Sequence, residues 1–83
     1  MQIRLALFAT LTGYLPESVD ASTDSTHERT IDLPDGTIIG QVISSLDLPN
    51  EPRVVFVNGR HAPDAQVLAD GDRLAIFPPV AGG

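Results

Sequence analysis

One stretch of this sequence repeats its apolar residues at helical spacing, and it limits what the chain can build. Ile38, Ile39, Val42, Ile43 and Leu46 fall on one side of a helix, a stripe suited to covering one face of a sheet. Thr37 stands where its hydroxyl can accept from the free amides of the first turn. Gly40 weakens such a helix by about 1 kcal/mol relative to Ala, which reads as close approach to a strand. Asp47-Leu48-Pro49 ends it. Most of the other apolar segments read as strands.

Residues 1–9 put Ile3, Leu5 and Leu7 on one face and Gln2, Arg4, Ala6 and Phe8 on the other, the pattern of a half-buried strand. Phe8 is the exception, an apolar ring on the polar side. Leu11, Tyr14 and Leu15 read as a short helical turn closing the core, and Pro16 ends it. Residues 16–29 are rich in Ser, Thr and Asp and read as a flexible surface loop. Thr30-Ile31-Asp32-Leu33 is a second strand and Pro34-Asp35-Gly36 a turn. Arg53 to Val57 is a third strand, which Asn58-Gly59 turns back as a type I′ hairpin into a short fourth at Arg60-His61-Ala62. Val67 and Leu68 read as core plugs. Asp70-Gly71-Asp72 turns into the last strand, Arg73 to Phe77. Strand, strand, helix, strand, short strand, strand is the order of an α+β domain: one helix across a mixed sheet, the β-grasp.

The last strand is stopped by two prolines, which fix φ and remove two ladder donors. Pro78, Pro79, Val80, Ala81, Gly82 and Gly83 follow. Extended, they reach up to about 20 Å beyond the domain. The sequence therefore divides into a β-grasp body, residues 1–77, and a tail, residues 78–83. A Gly-Gly end carries no Cβ and threads a narrow channel. Its α-carboxylate is ionised at neutral pH and can attack the α-phosphorus of ATP, giving an acyl-adenylate open to sulfur or nitrogen nucleophiles. Such a pair also occurs by chance, so the strand-Pro-Pro context carries more weight than the glycines alone.

Phe77-Pro78-Pro79-Val80-Ala81-Gly82-Gly83, preceded by Leu68-Ala69-Asp70-Gly71-Asp72-Arg73, resembles the C-terminus of the MoaD/ThiS sulfur-carrier family, in its molybdopterin synthase small-subunit form. Leu5 to Leu11, Thr37 and Val55-Phe56-Val57-Asn58-Gly59 are also similar. Residues 16–29 stand outside the likeness. The resemblance implies a β-grasp with its first and last strands parallel and central. It implies that a MoeB-like, E1-like enzyme adenylates Gly83, that the carboxyl becomes a thiocarboxylate, and that a MoaE-like large subunit of molybdopterin synthase receives the sulfur. Gly83 would carry the sulfur, Gly82 give clearance, and Pro78, Pro79, Val80 and Ala81 extend the tail. ATP and the sulfur donor would be handled by partners, with no cofactor or metal held by this chain.

Composition agrees with a carrier. Eighty-three residues bury one modest core and form no deep substrate cavity. There is no cysteine, so sulfur has no side-chain thiol to ride on, and thiolate metal sites are excluded. The formal net charge is −6 and every basic side chain apart from histidine is Arg. That balance disfavours nucleic acid. It either draws the chain to a basic protein surface or only keeps it soluble. Without lysine, any isopeptide acceptor must lie on a partner. No apolar run is long enough to span a membrane, and Met1 leads straight into strand sequence, which predicts a cytoplasmic protein without a signal peptide. Ser, His and Asp are present without a nucleophile elbow, and His27 and His61 lack ligand-spaced neighbours.

Alternation also sets Phe77 on the face of Ala75. If the outer strands pair in parallel, Phe8 and Phe77 meet outside the core, either as a partner-docking patch or as a surface roofed by the long loop. Besides the molybdopterin pathway, the sequence admits a carrier for thiamine or another pathway, a ubiquitin-like modifier, or a non-carrier interaction module.

Overall fold

The computed structural model describes residues 1–49 and 51–78. Five strands and one α-helix follow the expected order: β1 (Gln2–Leu7), β2 (Glu28–Asp32), α1 (Ile39–Leu46), β3 (Val54–Val57), β4 (Arg60–His61) and β5 (Arg73–Phe77). The sheet runs β2-β1-β5-β3-β4. β1 and β5 are parallel, with Leu5 opposite Leu74 and Leu7 opposite Ile76, and the other pairings are antiparallel.

The core forms between α1 and the sheet. Ile3, Leu5 and Leu7 of β1 meet Leu74 and Ile76 of β5, and Ile39 and Val42 of the helix close over them, all essentially solvent-free. Each such aliphatic side chain contributes about 1.5–3 kcal/mol on burial. Leu68 is buried as expected, but Val67 is 57% exposed. Val67 makes an isolated bridge with Ile38, and side chains alternate along extended backbone, so only one of the two neighbours can face the core.

The helix entrance differs from its sequence reading. Thr37 does not cap α1; its hydroxyl donates to the Pro34 carbonyl at 2.7 Å and closes the preceding turn. The first-turn amides are satisfied elsewhere. Ile39 N–H donates to Gln66 O at 3.0 Å and Gly40 N–H to Asp64 O at 2.9 Å, while Gln41 Oε1 accepts from Ile38 N–H at 2.9 Å. Gly40 does mark a close approach, but to a loop and not to a strand: a Cβ there would lie 3.4 Å from Asp64 Cβ and from Asp64 O.

The segment after β1 is a 3₁₀ turn, Ala9–Tyr14, with Leu11 buried. Tyr14 is 39% exposed and so does not close the core. Residues 16–29 are shorter as a loop than expected, because Glu28 and Arg29 already belong to β2. The remainder lies along the outer edge of β2. Val19 N–H donates to Thr30 O at 2.8 Å, Ser18 Oγ accepts from Thr30 N–H at 3.0 Å, and the hydroxyls of Thr23 and Thr30 are 2.7 Å apart. These bonds occupy groups that an uncovered edge strand would present to another chain.

The β3–β4 hairpin is as read. Asn58 and Gly59 both have positive φ, 53° and 82°, the requirement of a type I′ turn. Asn58 also ties the hairpin to β5: its Nδ2 donates to Asp72 Oδ1 at 2.9 Å and its Oδ1 accepts from Arg73 N–H at 3.0 Å. No helix among the described residues is long and apolar enough to cross a membrane.

Candidate functional site

α1 covers one face of the sheet, so the side chains of opposite parity line the other. There the sequence places small residues at the centre. Ala6 and Ala75 are register partners and are 0% and 3% exposed. They form a floor low enough for larger neighbours to lie across.

Five rings do so in a row. Phe8 and Phe77 each follow the last paired position of the parallel strands, Leu7↔Ile76. Their rings are 4.4 Å apart with 3° between planes. Phe77 meets Phe56 of β3 edge-on at 5.8 Å, and Phe56 meets His61 of β4 at 4.4 Å. On the other side Phe8 stacks on His27 at 5.0 Å. The row His27-Phe8-Phe77-Phe56-His61 thus follows the spatial order β2-β1-β5-β3-β4. Aromatic pairs in such arrangements add about 0.5–1.5 kcal/mol each beyond their area. Phe8, Phe56 and Phe77 are all half-buried. The row therefore still presents apolar edge to solvent, of the kind that marks docking surfaces.

A polar cluster borders the row. Glu28 accepts from Arg73 Nε at 2.9 Å and lies 3.5 Å from Arg4 Nε. The Glu28–Arg73 pair spans from β2 to β5 above β1, which the missing side-chain bulk of Ala6 permits. Arg73 also stands 6.0 Å from the Phe8 centroid, the outer limit of a cation–π contact. Arg4 Nη2 donates to Thr23 O at 3.3 Å, so the long loop reaches this face. It covers Thr30, and its last residue, His27, flanks Phe8 without roofing Phe77. The two sequence readings of the Phe8–Phe77 surface each hold for part of it.

Of the sequence-predicted site residues, the structure brings Phe8, Phe77 and Pro78 together at one end of the sheet. Pro79, Val80, Ala81, Gly82 and Gly83 lie outside the described residues. The sequence reading weighed His27 and His61 only as metal ligands and did not place them, Phe56 or the Glu28 cluster in this site. Parity alone would have set Phe56 opposite Val55 and Val57. Its place beside Phe77 needs the β3–β5 register, which comes from Val54↔Phe77 and Phe56↔Ala75.

A five-stranded mixed sheet crossed by one helix, with a parallel pair at its centre, is a ubiquitin-like β-grasp domain. The ThiS family model matches residues 17–83. The chain belongs to that family, in the MoaD/ThiS group of ubiquitin-like sulfur carriers. Its fold is similar to that of small archaeal modifier protein 1 (SAMP1) of Haloferax volcanii, at TM-score 0.68 and 24% identity over 100% of both chains. It is also similar to the HVO 2177 protein of Haloferax volcanii, at TM-score 0.70 and 26% identity over 100% of this chain and 87% of that one. A third similar structure is a complex of subunits 1 and 2 of the molybdopterin-converting factor of Helicobacter pylori. It matches at TM-score 0.60 and 15% identity over 100% of both chains.

Proposed function

We propose that this chain carries sulfur for molybdopterin assembly on its terminal carboxyl group. An E1-like enzyme binds the aromatic row and takes the tail into its ATP site. The Gly83 carboxylate attacks the α-phosphorus, pyrophosphate leaves, and the acyl-adenylate forms. Sulfide-level sulfur delivered on the activating side then attacks the acyl carbon and displaces AMP, which leaves a thiocarboxylate at Gly83. The loaded tail next enters the large subunit of molybdopterin synthase and transfers its sulfur to the pterin precursor. ATP and the sulfur donor are held by those partners, and no catalytic group of this chain takes part beyond the carboxyl itself.

The observation that carries this reading is the Phe8–Phe77 stack at the last position of β5, immediately before Pro78. A partner that grips the stack fixes the starting point of the tail. Positioning of this kind is where a carrier can aid chemistry it does not catalyse. The likeness to subunit 1 in the Helicobacter pylori complex supports the molybdopterin partner. The test is intact mass after incubation with the cognate activating enzyme, ATP and a sulfur source. A rise equal to one oxygen-to-sulfur exchange at the C-terminus is expected. An unchanged mass with an enzyme proven active would refute the carrier assignment.

The full-length likeness to SAMP1 supports a second reading, a ubiquitin-like modifier. In that case Gly83 would be recovered in amide linkage to lysines of other proteins. This chain has none of its own to extend a conjugate.

A further inference from the structure

Three of the five arginines are paired on the surface of the domain: Arg4 and Arg73 with Glu28, and Arg29 with Asp24 at 3.8 Å. Arg60 is exposed at the hairpin. Arg53 differs from all of them. It is half-buried, and its Nη1 is shielded from solvent with no hydrogen-bond partner among the described residues. A buried guanidinium N–H without an acceptor is costly to keep.

Its place in the fold is specific. Arg53 immediately precedes Val54, the register partner of Phe77. Arg53 and Pro78 line one narrow crevice together with Leu11 and Pro49. On its other side Arg53 borders an open cleft of about 390 Å³ shared with His61 and Asp64. Glu51 lines both depressions but forms no ion pair with Arg53 within 4.0 Å among the described residues. A guanidinium with one shielded and unpartnered N–H therefore stands beside Pro78. Nε and Nη2, which are not among the buried atoms without a partner, are the edge it can offer to a partner.

We infer that Arg53 is a positioning residue that reads a carboxylate on the rim of the partner's tail channel. The inference rests on the carrier reading above. Distance excludes a role at the reacting atoms. Gly83 lies five residues beyond Pro78, and an extended chain covers up to about 17 Å in that length. A side chain beside Pro78 thus meets the channel mouth while the carboxyl meets ATP. Chemistry selects the acceptor, since the planar guanidinium pairs with a carboxylate through two parallel hydrogen bonds. Charge makes the contact discriminating. A chain of net charge −6 is repelled by acidic surfaces in general, so a rim carboxylate is tolerated only where Arg53 meets it.

The test is ATP–pyrophosphate exchange by the E1-like enzyme of the same cells, with the full chain as varied substrate. Arg53→Met should raise the KM for the chain by about tenfold to a hundredfold, with kcat held within about twofold. Arg53→Lys, which keeps the charge but loses the fork, should fall between. The urea midpoint of Arg53→Met should equal or exceed that of the wild type, because the variant removes an unsatisfied donor. A KM unchanged within twofold would overturn the inference alone, as would a clear loss of stability, which would show the guanidinium to be satisfied within its own domain. Failure of the wild-type chain to support exchange would overturn the carrier reading, and this inference with it.

Discussion

The rings of Phe8 and Phe77 lie parallel, 4.4 Å apart, although nearly the whole described sequence separates them. Each sits one step past the last pairing of β1 with β5. The stack therefore reports the register at the sheet's centre and marks the end of β5, next to Pro78.

Removing either ring should cost about 1–2 kcal/mol, below the roughly 3–5 of a fully buried Phe→Ala change, because both are half-buried. The pair should also show coupling. In urea unfolding, the double variant F8A/F77A should be less destabilised than the sum of the singles by about 0.5–1.5 kcal/mol. Strict additivity would mean that the stack is only proximity. Either single variant should bind the activating enzyme more weakly, measured by titration under conditions where the variant is fully folded.

Glu28 joins Arg73 and Arg4 across β1 on a partly exposed face. Glu28→Gln keeps the shape and removes the charge. Solvent screening limits the loss to about 0.5–1 kcal/mol. The difference between wild type and variant should shrink as sodium chloride is raised from low to molar concentration. A loss that does not depend on salt would assign the role of Glu28 to packing.

Asn58 holds a positive φ and makes two side-chain bonds to the strand beside it. Asn58→Ala should cost about 1–3 kcal/mol, the sum of a left-handed backbone penalty and lost hydrogen bonds. Asn58→Gly restores the backbone freedom but not the bonds, so it should recover only part. Thermal denaturation of Asn58→Gly at the wild-type midpoint would show that the bonds to Asp72 and Arg73 contribute nothing.

Deleting Gly82 and Gly83 should leave the urea midpoint unchanged, because among the described residues the last member of the buried core is Ile76. The same deletion should abolish the oxygen-to-sulfur mass change completely. A truncated chain that still sustains the pathway in cells would leave the fold assignment standing and remove the function.

Much of this architecture was legible in the residues. The Ile39-Val42-Ile43 stripe, the Asn58-Gly59 turn and the Ile3-Leu5-Leu7 alternation are local patterns, and each found its expected place. Phe8 and Phe77 were legible because parity sets their face and the resemblance implied that their strands pair in parallel. Three of the errors share a cause. Thr37, Gly40 and Val67 were each assigned from neighbours in sequence, whereas the loop at 63–67 takes over the helix's first amides and decides all three. The ring row also escaped sequence reading, since Phe56 and His61 join it only through register across three strands.

The pairing of Leu5 with Leu74 sets a condition on how the protein is made. The middle of its sheet cannot assemble from the amino-terminal half, because β1 waits for a neighbour that is synthesised last. Long-range closure of this kind slows folding. It also means that a ribosome stalled before residue 73 releases a chain in which β1 has β2 on one side and no partner on the other, fit for proteolysis. Any molecule that attains the native sheet has therefore been translated as far as the strand from which the tail begins.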